Sequence, residues 1–204
     1  MASANRLYPL GKEQFLSALL DLTGITIKVA AYDISDHSGT ITGASNATPI
    51  VITQATHGYS NGDRVVIQGI VGNTAANEAW VIANVATNTY ELTTSVGSGA
   101  YSSGGEVMNL TADQFLSDLT GAGVVSTGTL ASKTVAAGVF DAADTVFSSV
   151  SGDAFQSLII YYDSGVAGTS TLIAYMDQSS GSFSITPSGG DITVNWNASG
   201  IFEL

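Results

Sequence analysis

The chain has 204 residues, 17 acidic against 5 basic side chains, a formal net charge of −12 at pH 7, and no cysteine. So few Lys and Arg cannot build the basic stripe that neutralises nucleic-acid phosphates, and an anionic membrane surface would repel the chain for the same reason. Disulfides, thiolate chemistry and cysteine-based zinc sites are excluded, while a hydrophobic fraction of 45% supplies a packed core and argues against disorder.

Glycine is abundant at 23 and proline scarce at 3, and β-branched runs alternate with Gly, Ser and Asn clusters. This pattern predicts short strands joined by turns. Arg6, Lys12 and Glu13 stand where a signal peptide would place its apolar stretch, so no such peptide is expected. Apolar runs fall far short of the ~20 residues that span a bilayer. Residues 11–22 (GKEQFLSALLDL) carry Phe15, Leu16, Leu19 and Leu20 at spacings that suit one helix face, with Gly24 as its stop. Residues 25–32 (ITIKVAAY) alternate as a half-buried strand.

A polar, Gly-rich connector follows at 36–48. Strands are predicted at 49–54, 64–68, 79–85 and 89–93, with tight-turn signals at Asn61–Gly62 and at Asn88. Residues 97–105 (GSGAYSSGG) read as a second flexible connector. Residues 109–119 (NLTADQFLSDL) are predicted to be helical, because Thr111 and Gln114 have capping-box spacing. Strands then resume at 123–128, 133–140, 145–150, 156–163, 170–177, 182–186, 191–196 and 200–204. The paired runs LIIYYD and LIAYMD read as a hairpin of central strands, tipped by Asp163 and Asp177.

The predicted fold class is mainly β. A β-sandwich or jelly-roll-like base domain, residues 1–37 and 108–204, carries one or two short helices. A small β-barrel, residues 38–107, is inserted in one of its loops, with the two Gly- and Ser-rich connectors as its boundaries.

The inserted segment contains, in order, Thr56, His57 and Gly58; Asn61, Gly62 and Asp63; Val65, Val66 and Ile67; Asn77 before Trp80, Val81 and Ile82; Thr89, Tyr90, Glu91 and Leu92; then Tyr101, Gly104 and Gly105. This series resembles the small β-barrel module named after the first catalytic-cysteine half-domain of ubiquitin-activating enzymes. Copies of that module are common in phage structural proteins. Glu78 stands where phage copies usually have Gly. The resemblance implies no activity, since the module lacks the catalytic cysteine. It implies that His57 sits at a turn and accepts a hydrogen bond from nearby backbone. The remainder resembles small virion proteins of tailed bacteriophages. That resemblance lies in Ile27, Lys28 and Val29, in Phe115, Leu116, Ser117 and Asp118, in the two paired runs, and in the ending around Trp196 and Phe202.

Candidate chemistry is sparse. The only histidines are His37 and His57, with Asp36 and Asp63 as the acids nearest in sequence. Asp33, Asp36, Asp141, Asp144, Asp153, Asp163 and Asp177 sit near predicted strand ends, where a hydrolytic pair or a calcium site would be built but where turn capping is the ordinary role. Trp80 and Trp196 are candidates for sugar stacking, with core packing as the simpler reading. Gly72, Gly97 and Gly99 are predicted turn residues with positive φ. No G-x-S-x-G elbow and no phosphate loop occurs. The expectation is therefore a non-enzyme with no catalytic, cofactor-binding or metal-ligating residues and no cofactor.

The resemblances imply a structural protein on the exterior of a phage virion, assembled in the bacterial cytoplasm. A capsid decoration or cement protein is expected, with a tail-, collar- or fibre-associated protein as the alternative. Its expected partners are the major capsid protein or other virion proteins, and further copies of itself, with a trimer favoured. A host-surface glycan is the expected partner of the inserted module in the alternative. Neither nucleic acid nor a membrane is expected.

Overall fold

The structure is a computed structural model that describes residues 6–37, 39–119, 123–176 and 184–203. In chain order its elements are β1 (Arg6–Leu7), α1 (Pro9–Leu16), β2 (Ile27–Tyr32), β3 (Ile41–Ala44), β4 (Ile50–Gln54), β5 (Arg64–Gln68), β6 (Ala79–Ala86), β7 (Thr89–Leu92) and β8 (Glu106–Asn109), then β9 (Val124–Thr129), β10 (Thr134–Ala136), β11 (Val139–Asp141), β12 (Thr145–Phe147), β13 (Ser157–Tyr162), β14 (Leu172–Met176), β15 (Ile192–Val194) and β16 (Phe202–Glu203). The protein is mainly β, with antiparallel sheets and a single α-helix among the described residues. The described residues form two compact units, one of residues 6–33, 114–176 and 184–203, the other of residues 34–113.

The first unit is built on a five-stranded sheet of order β1-β14-β13-β2-β9. Two small sheets accompany it, β10-β11-β16 and β12-β15. Strand β2 pairs with β13 through Ile160↔Val29 and with β9 through Val29↔Gly128. Its predicted half-buried alternation gives way to burial on both faces at Val29, Ala30, Ala31 and Tyr32, as befits a strand covered above and below. The predicted hairpin forms, with β13 and β14 paired through Ile159↔Tyr175. Both of these strands are internal to the sheet. Asp177 and residues 182–183 lie outside the described residues. Of that predicted strand, Ile185 forms an isolated bridge with Phe155.

The helix differs from its predicted span. It begins at Pro9, whose missing N–H costs nothing in the first turn, and it ends at Leu16 with Ser17 as its C-cap, well before Gly24. Ala18 follows at φ 55. Helix α1 packs through Gly11 rather than through a leucine stripe. A Cβ on Gly11 would lie 3.0 Å from the Leu172 carbonyl oxygen and 3.2 Å from the Ile173 Cα, so only glycine lets the helix backbone lie this close to β14. Leu16 and Leu19 are left 91% and 72% exposed.

The predicted helix over 109–119 does not form. Residues 106–109 are drawn into β8 by pairing with β5 (Val65↔Asn109, Ile67↔Val107). Polar side chains then claim the backbone that a helix would need. The Asn109 Oδ1 accepts from the Thr111 and Ala112 N–H groups, and the Thr111 Oγ1 accepts from Arg64 N–H. A single 3-10 turn, Leu116–Asp118, is all that remains. The Asp118 Oδ2 caps it by accepting from the Gln114 and Phe115 N–H groups.

The second unit is one six-stranded sheet, order β3-β4-β7-β6-β5-β8, curled into a half-barrel around its own core. Ile41, Ile52, Ile67, Tyr90, Leu92 and Val107 are buried there. Both stretches expected to be loose connectors are structured. The 36–48 stretch contains β3. The 97–105 stretch is strapped down by Gly97 N–H to Ala47 O, Ser98 N–H to Asn73 Oδ1, and Ser102 N–H to Val71 O. Gly72 has the predicted positive φ, at 91, but Gly97 and Gly99 are not among the positive-φ residues. They are glycine because the chain passes too close for a side chain: a Cβ would meet the Asn46 Oδ1 at 2.4 Å or the Gly72 carbonyl oxygen at 2.9 Å. The expected domain boundary at 107/108 falls inside β8.

Candidate functional site

Three segments of the second unit meet at a cleft of about 490 Å³. They are the residues before β3, the loop between β4 and β5, and the turn after β8. Both histidines line it, with Gln54, Tyr59, Asp63, Asn109 and Asp113.

Local hydrogen bonds fix these walls. After β4 the chain reverses at Thr56, which holds φ 49, and at Gly58, with φ 72. A β-branched residue in the left-handed region is strained. Here the conformation is held by the Asn88 Oδ1, which accepts from Thr56 N–H at 3.0 Å. The Asp63 Oδ2 accepts from Ser60 N–H at 3.0 Å and from the Asn109 side-chain amide at 2.8 Å, tying the loop to the end of β8. Gln54 is fully buried. It donates to the Gly39 carbonyl at 2.6 Å and accepts from the Tyr90 hydroxyl at 3.1 Å.

The two histidines play different parts. His37 Nε2 lies 2.9 Å from the Asp113 Oδ2, with both side chains largely buried. An ionised carboxylate only accepts, so Nε2 carries a proton. This contact joins the first and last turns of the second unit. His57 Nδ1 accepts from Tyr59 N–H at 3.1 Å, the backbone bond that the family resemblance implies. In the neutral ring the proton therefore sits on Nε2, which is buried and has no hydrogen-bond partner among the described residues. The His57 ring lies 4.8 Å from Tyr59 at 35°, and edge-on to Tyr90 at 5.0 Å and 80°. Burial pushes the Tyr59 hydroxyl up to about 12, with Asp113 and Asp63 adding to the effect. Burial also raises Tyr90. Both tyrosines are neutral hydroxyl donors at physiological pH.

Of the strand-end carboxylates singled out in the sequence, Asp33, Asp141, Asp144, Asp153 and Asp163 do not line this cleft, and the Asp36 side chain and Asp177 lie outside the described residues. The Asp163 Oδ2 pairs with Lys28 Nζ at 2.6 Å while its Oδ1 accepts from Gly165 N–H. The Lys28 ammonium beside it, with the Gly165 N–H, holds the Asp163 carboxyl below its usual range. Asp163 in turn holds Lys28 above its own. The Asp141 Oδ1 accepts from Ala142 N–H and the Asp144 Oδ1 from Trp196 N–H. Asp33 is buried and Asp153 exposed. Among the described residues no three His, Asp or Glu side chains converge in a way that would hold a metal ion.

Both tryptophans pack against cores. Trp80 Nε1 donates to the Ala76 carbonyl and Trp196 Nε1 to the Thr145 Oγ1. The aromatic residues at the cleft are instead Tyr59 and His57, and sequence reading did not connect either with Asp113. The T-H-G turn marked one lip, but the opposite lip lies more than fifty residues away. No protein-family model and no curated protein matches the chain.

Proposed function

We propose that this protein is a non-enzymatic structural component of a tailed-phage virion, a decoration or cement protein that docks through its first unit and displays its second. The observation that carries the reading is the neck of the second unit. Its entry and exit are brought together by the His37–Asp113 contact at 2.9 Å. A unit whose ends meet can be hung on a surface loop without disturbing its host. The first unit supplies features suited to docking. Exposed Leu16 lines a groove with Leu7, Lys12, Phe15 and Glu203, Leu19 is a second exposed leucine, and β10 is a fully exposed edge strand. Apolar patches and open edges favour partner contact and strand addition. A charge of −12 suits attachment to a basic surface, and many copies would turn weak contacts into high avidity.

Mass spectrometry and image reconstruction of virions carrying this chain test the proposal. Stoichiometric copies on the shell are expected. A few copies confined to the tail would reject the capsid version. In that event the cleft favours the second reading, a tail-, collar- or fibre-associated protein whose second unit binds the host surface.

A further inference from the structure

We infer that the cleft of the second unit binds a neutral sugar residue, with the Tyr59 and His57 rings as its apolar wall and Asp63 and Asp113 as acceptors for sugar hydroxyls. This rests on the reading of the second unit as a displayed binding module.

Size and charge narrow the ligand first. The 490 Å³ cleft falls within the range of small-molecule sites, about 300–1,000 Å³. Its lining contains two aspartates and neither Lys nor Arg, so a phosphate, a sulfate or an acidic sugar would be repelled.

Hydrogen-bond accounting narrows it further. The amides of Gln54 and Asn109 spend donor and acceptor alike on protein partners, and so shape the wall rather than read a ligand. Asp63 and Asp113 each use Oδ2 in the contacts described, and Oδ1 takes part in none of them. Ligand groups that meet these oxygens must be donors. The Ser60 and Thr56 hydroxyls on the same lip both give and take hydrogen bonds. A polyol matches both kinds of group, whereas an ammonium matches only the carboxylates.

The rings supply the remaining surface. Tyr59 and His57 lie in contact at 4.8 Å, tilted by 35°, and are backed by Tyr90, whose ring lies 5.0 and 5.5 Å away. The wall is therefore set before a ligand arrives, which lowers the entropy cost of binding.

The test uses the full chain with galactose, glucose, mannose and N-acetylglucosamine, and with sialyllactose as the acidic control, followed by saturation-transfer NMR and calorimetry. Binding of at least one neutral sugar is expected, with sialyllactose weaker. Tyr59→Ala should weaken it about tenfold or more. Ala55→Trp, which fills the cleft without removing a polar partner, should abolish it. Trp80 fluorescence and circular dichroism check that each variant is folded. Sugar binding that survives both substitutions overturns the cleft assignment and leaves the binding-module reading standing. If the chain retains binding to host-envelope preparations but takes no neutral sugar, the sugar class is overturned alone. Binding to neither overturns both.

Discussion

Gln54 shows how one polar side chain organises the cleft. It is fully buried and bridges the Gly39 carbonyl and the Tyr90 hydroxyl. Gln54→Leu keeps the bulk but strands both partners, so about 1–3 kcal/mol of stability should be lost, read from denaturant unfolding followed by Trp80 fluorescence. The Lys28–Asp163 pair makes a pH-dependent counterpart in the first unit. Asp163 is depressed, so its contribution is present above the ordinary carboxylate value of about 3.9 and is lost as pH falls through its lower folded value. Lys28 is raised, so its contribution holds below about 10.4 and is lost as pH climbs through its higher folded value. With side chains 30% and 20% exposed, the pair is worth under about 1 kcal/mol. Lys28→Met should be slightly less stable than the parent at pH 7. The gap in denaturant midpoints should close as pH falls below about 4.

Turns and close approaches decide the individual elements. The hairpin of β10 and β11 turns through Ala137 at φ 51 and Gly138 at φ 83, a geometry that favours Asn before Gly. Ala137→Asn should stabilise the first unit by a few tenths to about 1 kcal/mol, visible as a raised Trp196-reported midpoint. Gly105 carries the opposite lesson. It sits at φ 113, and a Cβ there would meet Ile70 Cγ1 at 2.7 Å and Ile41 Cβ at 3.0 Å, while its carbonyl accepts from Ile41 N–H. Gly105→Ala should cost more than about 2 kcal/mol through strain and overpacking at this seam, read as a lowered Trp80-reported midpoint. The strands β4 to β7 of the second unit were legible because β-branched runs between turn residues carry their own signal, whereas β3 and β8, set in a polar connector and beside a false helix signal, were not. The 109–119 segment was misleading because capping-box spacing is local, whereas the pairing of β8 with β5 is not.

Each unit of the molecule has its own buried cluster, one around Val29, Phe147 and Ile160, the other around Ile52, Tyr90 and Leu92. Each also has one tryptophan packed against it, Trp196 and Trp80 respectively. Ile52→Ala should therefore cost about 2–5 kcal/mol in the second unit. Unfolding reported by Trp80, measured in a Trp196→Phe background, should shift. Unfolding reported by Trp196, measured in a Trp80→Phe background, should not. The sequence by itself determined the class of the molecule, mainly β with most strands in place, because alternation, β-branching and turn chemistry act within a few residues. It also excluded thiol chemistry and a phosphate-binding stripe, because composition alone limits those. Only the tertiary structure decided that β2 is buried on both faces, that α1 packs through Gly11, that the supposed connectors are strapped into a half-barrel, and that His37 meets Asp113 beside His57 and Tyr59. Each of these depends on which distant segments become neighbours. Chain folding settles that by burying apolar faces and pairing backbone groups across the sheet, and no local pattern encodes it.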